Sequence, residues 1–137
     1  MYTEDRNAYR NAFINAWQKH VKKLPLEPFE KEIVAVLLTH PEYHGLLHNN
    51  DPTIEFEPEE NPFLHMSLHI SIREQIRMDR PTGIILVYQT LLTQYVNELD
   101  VEHMMMTVLA NMLWQAQQSG VMPSEDSYLE KLKEILQ

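Results

Sequence analysis

The chain contains no cysteine. That removes a disulfide framework, a thiolate metal site and a cysteine nucleophile in one step. Glycine is scarce, with three residues in 137, and no glycine-rich phosphate loop, Gly-x-Ser-x-Gly elbow or dinucleotide fingerprint can be traced. Positive charge is short as well. Eleven Lys and Arg stand against twenty Asp and Glu, a formal net charge of −9. Such a surface repels a phosphate backbone, and Lys22-Lys23 is the nearest thing to a basic patch, so nucleic acid is not an expected partner. No apolar run approaches the about 18–20 residues that cross a bilayer, and residues 1–10 lack an apolar signal region. No membrane partner and a cytoplasmic location are the expectations. Strand-length alternation of polar and apolar residues is missing too.

What is present is helical periodicity along nearly the whole chain, with 44% hydrophobic residues to fill a core. The expected fold is all-α, a compact antiparallel bundle of about five or six helices in a single domain over 1–137. A first helix over 3–24 carries the stripe Tyr9, Phe13, Ala16, Trp17, His20 and Leu24, and Pro25 ends it. A second over 28–39 turns Phe29, Ile33, Val36 and Leu37 inward. Pro41 opens a short helical turn through His48. Residues 49–60, NNDPTIEFEPEE, are the most acidic stretch and contain two prolines, and they read as a loop. Asn61-Pro62 starts a helix that continues to about 79. After the Arg80-Pro81-Thr82-Gly83 turn, a helix over 84–99 is apolar nearly all round and is expected to be the most buried. Another follows over 101–119 and stops at Gly120. Ser124 caps the last, with Tyr128 and Leu132 facing in.

Seven histidines occupy positions 20, 40, 44, 48, 65, 69 and 103. On a helix, His65 and His69 differ by about 40° and share a face with Leu68, Ile72 and Ile76. Glu74 projects almost opposite. Glu102 follows the spacing of Met106, Leu109 and Leu113, which puts a carboxylate inside an apolar stripe. A buried carboxylate needs a partner, and His103, Arg73, a metal ion or another histidine are the choices. His103, Thr107, Ala110 and Trp114 form the adjoining stripe. His40, His44 and His48 recur every four residues, although Pro41 interrupts the backbone between them. The Met104-Met105-Met106 run spreads over about 200° of helix, so it reads as Met106 in the core and two flanking side chains, not as a metal-binding triplet.

Two imidazoles at i and i+4 can hold one metal ion, and ligands from facing helices complete the shell. The candidate ligands are His65 and His69 at the centre, with His103, Glu102, His44 and His40 from neighbouring segments. Without cysteine such a set suits iron, manganese or zinc. Two other readings stand beside the metal protein. One is a non-enzymatic interaction module whose buried histidines specify packing, with a protein partner or self-association. The other is a small-ligand binder with a polar pocket in the bundle. Nothing in the sequence assigns a catalytic residue or a reaction.

The segments NPFLHMSLHISIREQIRMDRPTGI at 61–84 and EHMMMTVLANMLWQAQQSG at 102–120, with HPEYH at 40–44 and Tyr128-Leu129, resemble a family of small bacterial proteins catalogued only as a domain of unknown function. The resemblance covers most of the chain and implies a compact helical protein without an assigned reaction. Relatives often carry Glu where this chain has Thr107, so a His-x-x-x-Glu pair beginning at His103 is missing here.

Overall fold

A glutamate at the start of a helix does two jobs at once in this chain. The Glu30 carboxylate accepts the backbone N–H of Glu27 at 2.9 Å and holds the Lys19 ammonium at 2.9 Å. It thereby caps one helix and ties it to the one before. The structure is a computed structural model that describes residues 6–47, 61–95 and 97–136. Six α-helices and one 3₁₀ helix are seen among these residues, and no strand: α1 Arg6–Val21, α2 Pro28–Leu38, the 3₁₀ helix Pro41–Leu47, α3 Pro62–Met78, α4 Ile84–Gln94, α5 Glu98–Ser119 and α6 Glu125–Ile135. The all-α reading holds, with the helical segments slightly more numerous than expected. The acidic stretch 49–60 and His48 lie outside the described residues.

The chain divides into two compact units, Met1–Ile70 and Ser71–Gln137, and the division falls within α3. In the first unit α1, α2 and the 3₁₀ helix pack together. Phe13, Ala16, Trp17, Ile33, Val36, Leu37, Leu47 and Met66 fill its interior. The expected stripes of α1 and α2 are recovered at their centres and fail at their ends. Leu24 and Phe29 are exposed. Glu30, next to Phe29, is buried at its cap.

Helix α1 stops before Pro25. Lys23 adopts φ 59°, the Leu24 N–H reaches the Lys19 carbonyl and the Lys23 N–H reaches the His20 carbonyl. That is a Schellman closure, which satisfies carbonyls of the last turn. The same device ends α3. Asp79 has φ 50°, and the Arg80 N–H meets the Gln75 carbonyl at 3.0 Å.

In the second unit α4, α5 and α6 pack on one another, and Ile84, Leu91, Val101, Met105 and Leu132 are fully enclosed. The break between α4 and α5 comes earlier than the hydropathy pattern suggests. Asn97, rather than a residue near 100, is the N-cap of α5, and its side chain accepts the Leu99 N–H at 2.7 Å. Helix α4 is not buried all round, since Leu86 is 69% exposed. Met105 joins Met106 in the core, where the sequence pattern singled out Met106 alone. Trp114 is exposed. Gly120 ends α5 at φ 73°, a conformation that suits glycine.

Candidate metal centre

His65 and His69 stand one turn apart on the first half of α3. Helix geometry alone stacks two side chains at this spacing. Their Nε2 atoms approach to 3.2 Å. His69 is fully buried and His65 half-buried. Two imidazole nitrogens at about 2.0–2.1 Å from one tetrahedral zinc ion stand about 3.3 Å apart. The pair is therefore spaced as two ligands of one ion, and also as an N–H···N hydrogen bond.

A third imidazole decides between a pair and a site. His40 follows the C-cap of α2 and is buried. Its ring centroid lies 5.1 Å from that of His65 and 4.7 Å from that of His69, and the two α3 rings are 4.8 Å apart. The three rings make a nearly equilateral triangle. One ligand nitrogen from each lies within 4.8 Å of the others.

The hydrogen bonds of His40 set which nitrogen it offers. Its Nδ1 lies 2.9 Å from the Val36 carbonyl oxygen and 2.9 Å from the Thr39 hydroxyl. The Thr39 hydroxyl donates its own hydrogen to Val36 at 2.6 Å. Both neighbours of Nδ1 are then acceptors, so Nδ1 carries the proton and Nε2 keeps the lone pair. This backbone tether is the arrangement in which histidine ligands are normally held.

Tyr43, from the 3₁₀ helix, lies parallel to His40 with an interplanar angle of 2° and meets His65 edge-on at 6.2 Å. Burial pushes its phenol above the ordinary range, and the Glu42 charge adds to the effect. Tyr43 was not among the residues singled out from the sequence. Its only signal there is its place between the two histidines of HPEYH.

The remaining candidates are placed as follows. His44 directs Nε2 to the Leu37 carbonyl at 2.7 Å and stacks on Trp17 at 4.2 Å. A carbonyl only accepts, so that nitrogen is a donor. Pro41 opens a 3₁₀ helix at that point, so the four-residue spacing of His40 and His44 does not put them on one α-helical face. His20 also packs on Trp17. Glu102 is buried on α5 and pairs with Arg73, Nε to Oε1 at 2.9 Å. The guanidinium thus neutralises the carboxylate that the apolar stripe encloses. His103 is half-buried on α5, in the second unit.

The model of the family described as "Domain of unknown function (DUF1841)" matches residues 5–134. The chain belongs to this DUF1841 family. The match takes in every candidate ligand, from His40 to His103, and agrees with the resemblance carried by the 61–84 and 102–120 segments. No curated protein and no solved structure matches the chain. No helix among the described residues is long and apolar enough to cross a membrane.

Proposed function

We propose that this DUF1841 protein binds a divalent transition-metal ion through His40, His65 and His69. The observation that carries the reading is the convergence of a third imidazole on the α3 pair with its Nδ1 already tethered. A hydrogen-bonded pair needs no third ring. Burial of the site limits competition from water and strengthens each electrostatic interaction within it.

An all-imidazole set favours zinc or iron. Manganese prefers carboxylate and water, and the Glu102 carboxylate that would have served it is engaged with Arg73. Three histidines leave a position for water or a substrate, whereas a fourth protein ligand closes a tetrahedral site. The function supported here is metal binding at a three-histidine centre.

Titration of tag-free protein with Zn²⁺ against a chromophoric chelator tests this. One ion per chain is expected, with uptake abolished in His69→Ala and in His40→Ala. Wild-type affinity in His69→Ala contradicts the metal reading.

A further inference from the structure

Thr39 is an exposed residue at the C-terminal end of α2, where a side chain ordinarily matters little to anything but the last turn. Its hydroxyl is nonetheless engaged twice. It donates to the Val36 carbonyl at 2.6 Å and presents its oxygen to His40 Nδ1 at 2.9 Å. The Val36 carbonyl belongs to the last turn of α2, where it accepts the Thr39 N–H at 3.1 Å and takes the Thr39 hydroxyl and His40 Nδ1 besides. That end of the helix is therefore used to hold a buried imidazole.

We infer that Thr39 is a positioning residue of the metal centre, one that fixes the ring plane of His40 so that Nε2 faces the ion. The inference rests on the metal-binding reading. With two acceptors at Nδ1, the ring is fixed in rotation as well as in protonation. With the Val36 carbonyl alone, Nδ1 still carries the proton, but the ring swings about a single bond and Nε2 leaves its line to the ion. Partners of this kind are worth about 10–100-fold in metal affinity. Tyr43, parallel to the same ring, restrains its tilt but accepts nothing from Nδ1. The hydrogen-bonding part of the task therefore falls to Thr39 and Val36, and Thr39 alone is open to substitution.

The experiment compares wild type, Thr39→Val and Thr39→Ser. Zn²⁺ affinity is measured by chelator competition, and the imidazole ¹⁵N shifts of His40 are read in metal-free protein. Thr39→Val is expected to bind about 10–100-fold more weakly, with the His40 ring ¹⁵N signals broadened by motion while Nδ1 stays protonated. Thr39→Ser should restore both. Thr39→Ala serves as a second hydroxyl-free variant, and metal-free melting curves confirm the fold of each. Wild-type affinity in both hydroxyl-free variants, with the wild-type protein binding normally, overturns the role of Thr39 and leaves the metal centre standing. Failure of Ser to rescue overturns it too. A wild-type protein that takes up no Zn²⁺ overturns the metal centre itself, and this inference falls with it.

Discussion

The Arg73–Glu102 pair shows how one side chain changes the meaning of its neighbours. The Glu102 side chain is 7% exposed and that of Arg73 28% exposed, so only the carboxylate is enclosed. Deleting the carboxylate leaves a cation that reaches water. The cost of Glu102→Ala is then that of a charged hydrogen bond, about 1.5–3 kcal/mol, below the about 3–5 kcal/mol of a fully buried pair. Denaturant unfolding measures it, and an unchanged midpoint refutes the pairing. That Glu102 needs a partner is legible in the sequence, because its register with Met106 places it inside. Arg73 was one of several partners the sequence left open, and choosing among them requires the packing. The histidines divide in the same way. Spacing on one helix brings His65 and His69 together, since the geometry of a turn is local. His40 joins them across a chain reversal that no periodicity encodes. His44 is drawn off by a carbonyl and an indole that sequence spacing cannot foresee.

Among the elements, several helix ends depart from the hydropathy pattern, and two of these departures have a local polar cause. Asp79 closes α3 in the left-handed region, while its carboxylate accepts the N–H groups of Gly83 at 3.2 Å and Ile85 at 3.1 Å at the start of α4. A single residue ends one helix and caps the next. Asp79→Ala removes the cap and strains the backbone, and should cost about 1–2 kcal/mol. Asp79→Asn keeps a side-chain acceptor and tolerates the same φ, so it should lose far less. Equal melting midpoints for the Ala and Asn variants would remove Asp79 from this role. Lys23 offers the opposite test. It is exposed and holds φ 59° without glycine's freedom. Lys23→Gly should therefore stabilise the protein by about 0.5–1 kcal/mol, and a lower midpoint would show that the lysine contributes more than it strains. Asn97 and Asp79 escape a reading by hydropathy because caps are single residues, whereas stripes are sums over several turns.

At the scale of the whole molecule, stability should fall at both ends of the pH range, for separable reasons. The Glu30 carboxyl is held below its ordinary value of 4.5 by the Glu27 N–H first and by Lys19 second. Below that value the unfolded chain binds the proton more readily than the folded one. The contribution of Glu30 is present above about pH 4.5 and is lost as pH falls toward its folded value. Tyr128 behaves oppositely. Burial pushes its phenol well above the ordinary 10.0, although its hydrogen bond to Gln75 pulls the other way. Above pH 10 the unfolded chain releases a proton that the folded chain retains, so the stability present below pH 10 is lost as pH rises. The slope for this one group is at most about 1.4 kcal/mol per pH unit. Tyr128→Phe should flatten the alkaline limb, and an unchanged limb would mean that Tyr128 ionises freely in the folded state.

An ion bound at the proposed centre would add a third, chelator-sensitive contribution, about 2.7 kcal/mol at a free metal concentration one hundred times Kd. The all-α class and the α3 histidine pair were open to inspection in the sequence. His40 was among the sequence candidates, but its convergence on that pair and its tether were not legible, because they arise where α2 ends. Elemental analysis of protein purified without an affinity tag tests the central claim most directly. Close to one zinc or iron ion per chain, falling to background in the His40→Ala and His69→Ala proteins, is the predicted result. Wild-type protein that carries no transition metal and takes up none on dialysis against it would contradict the account.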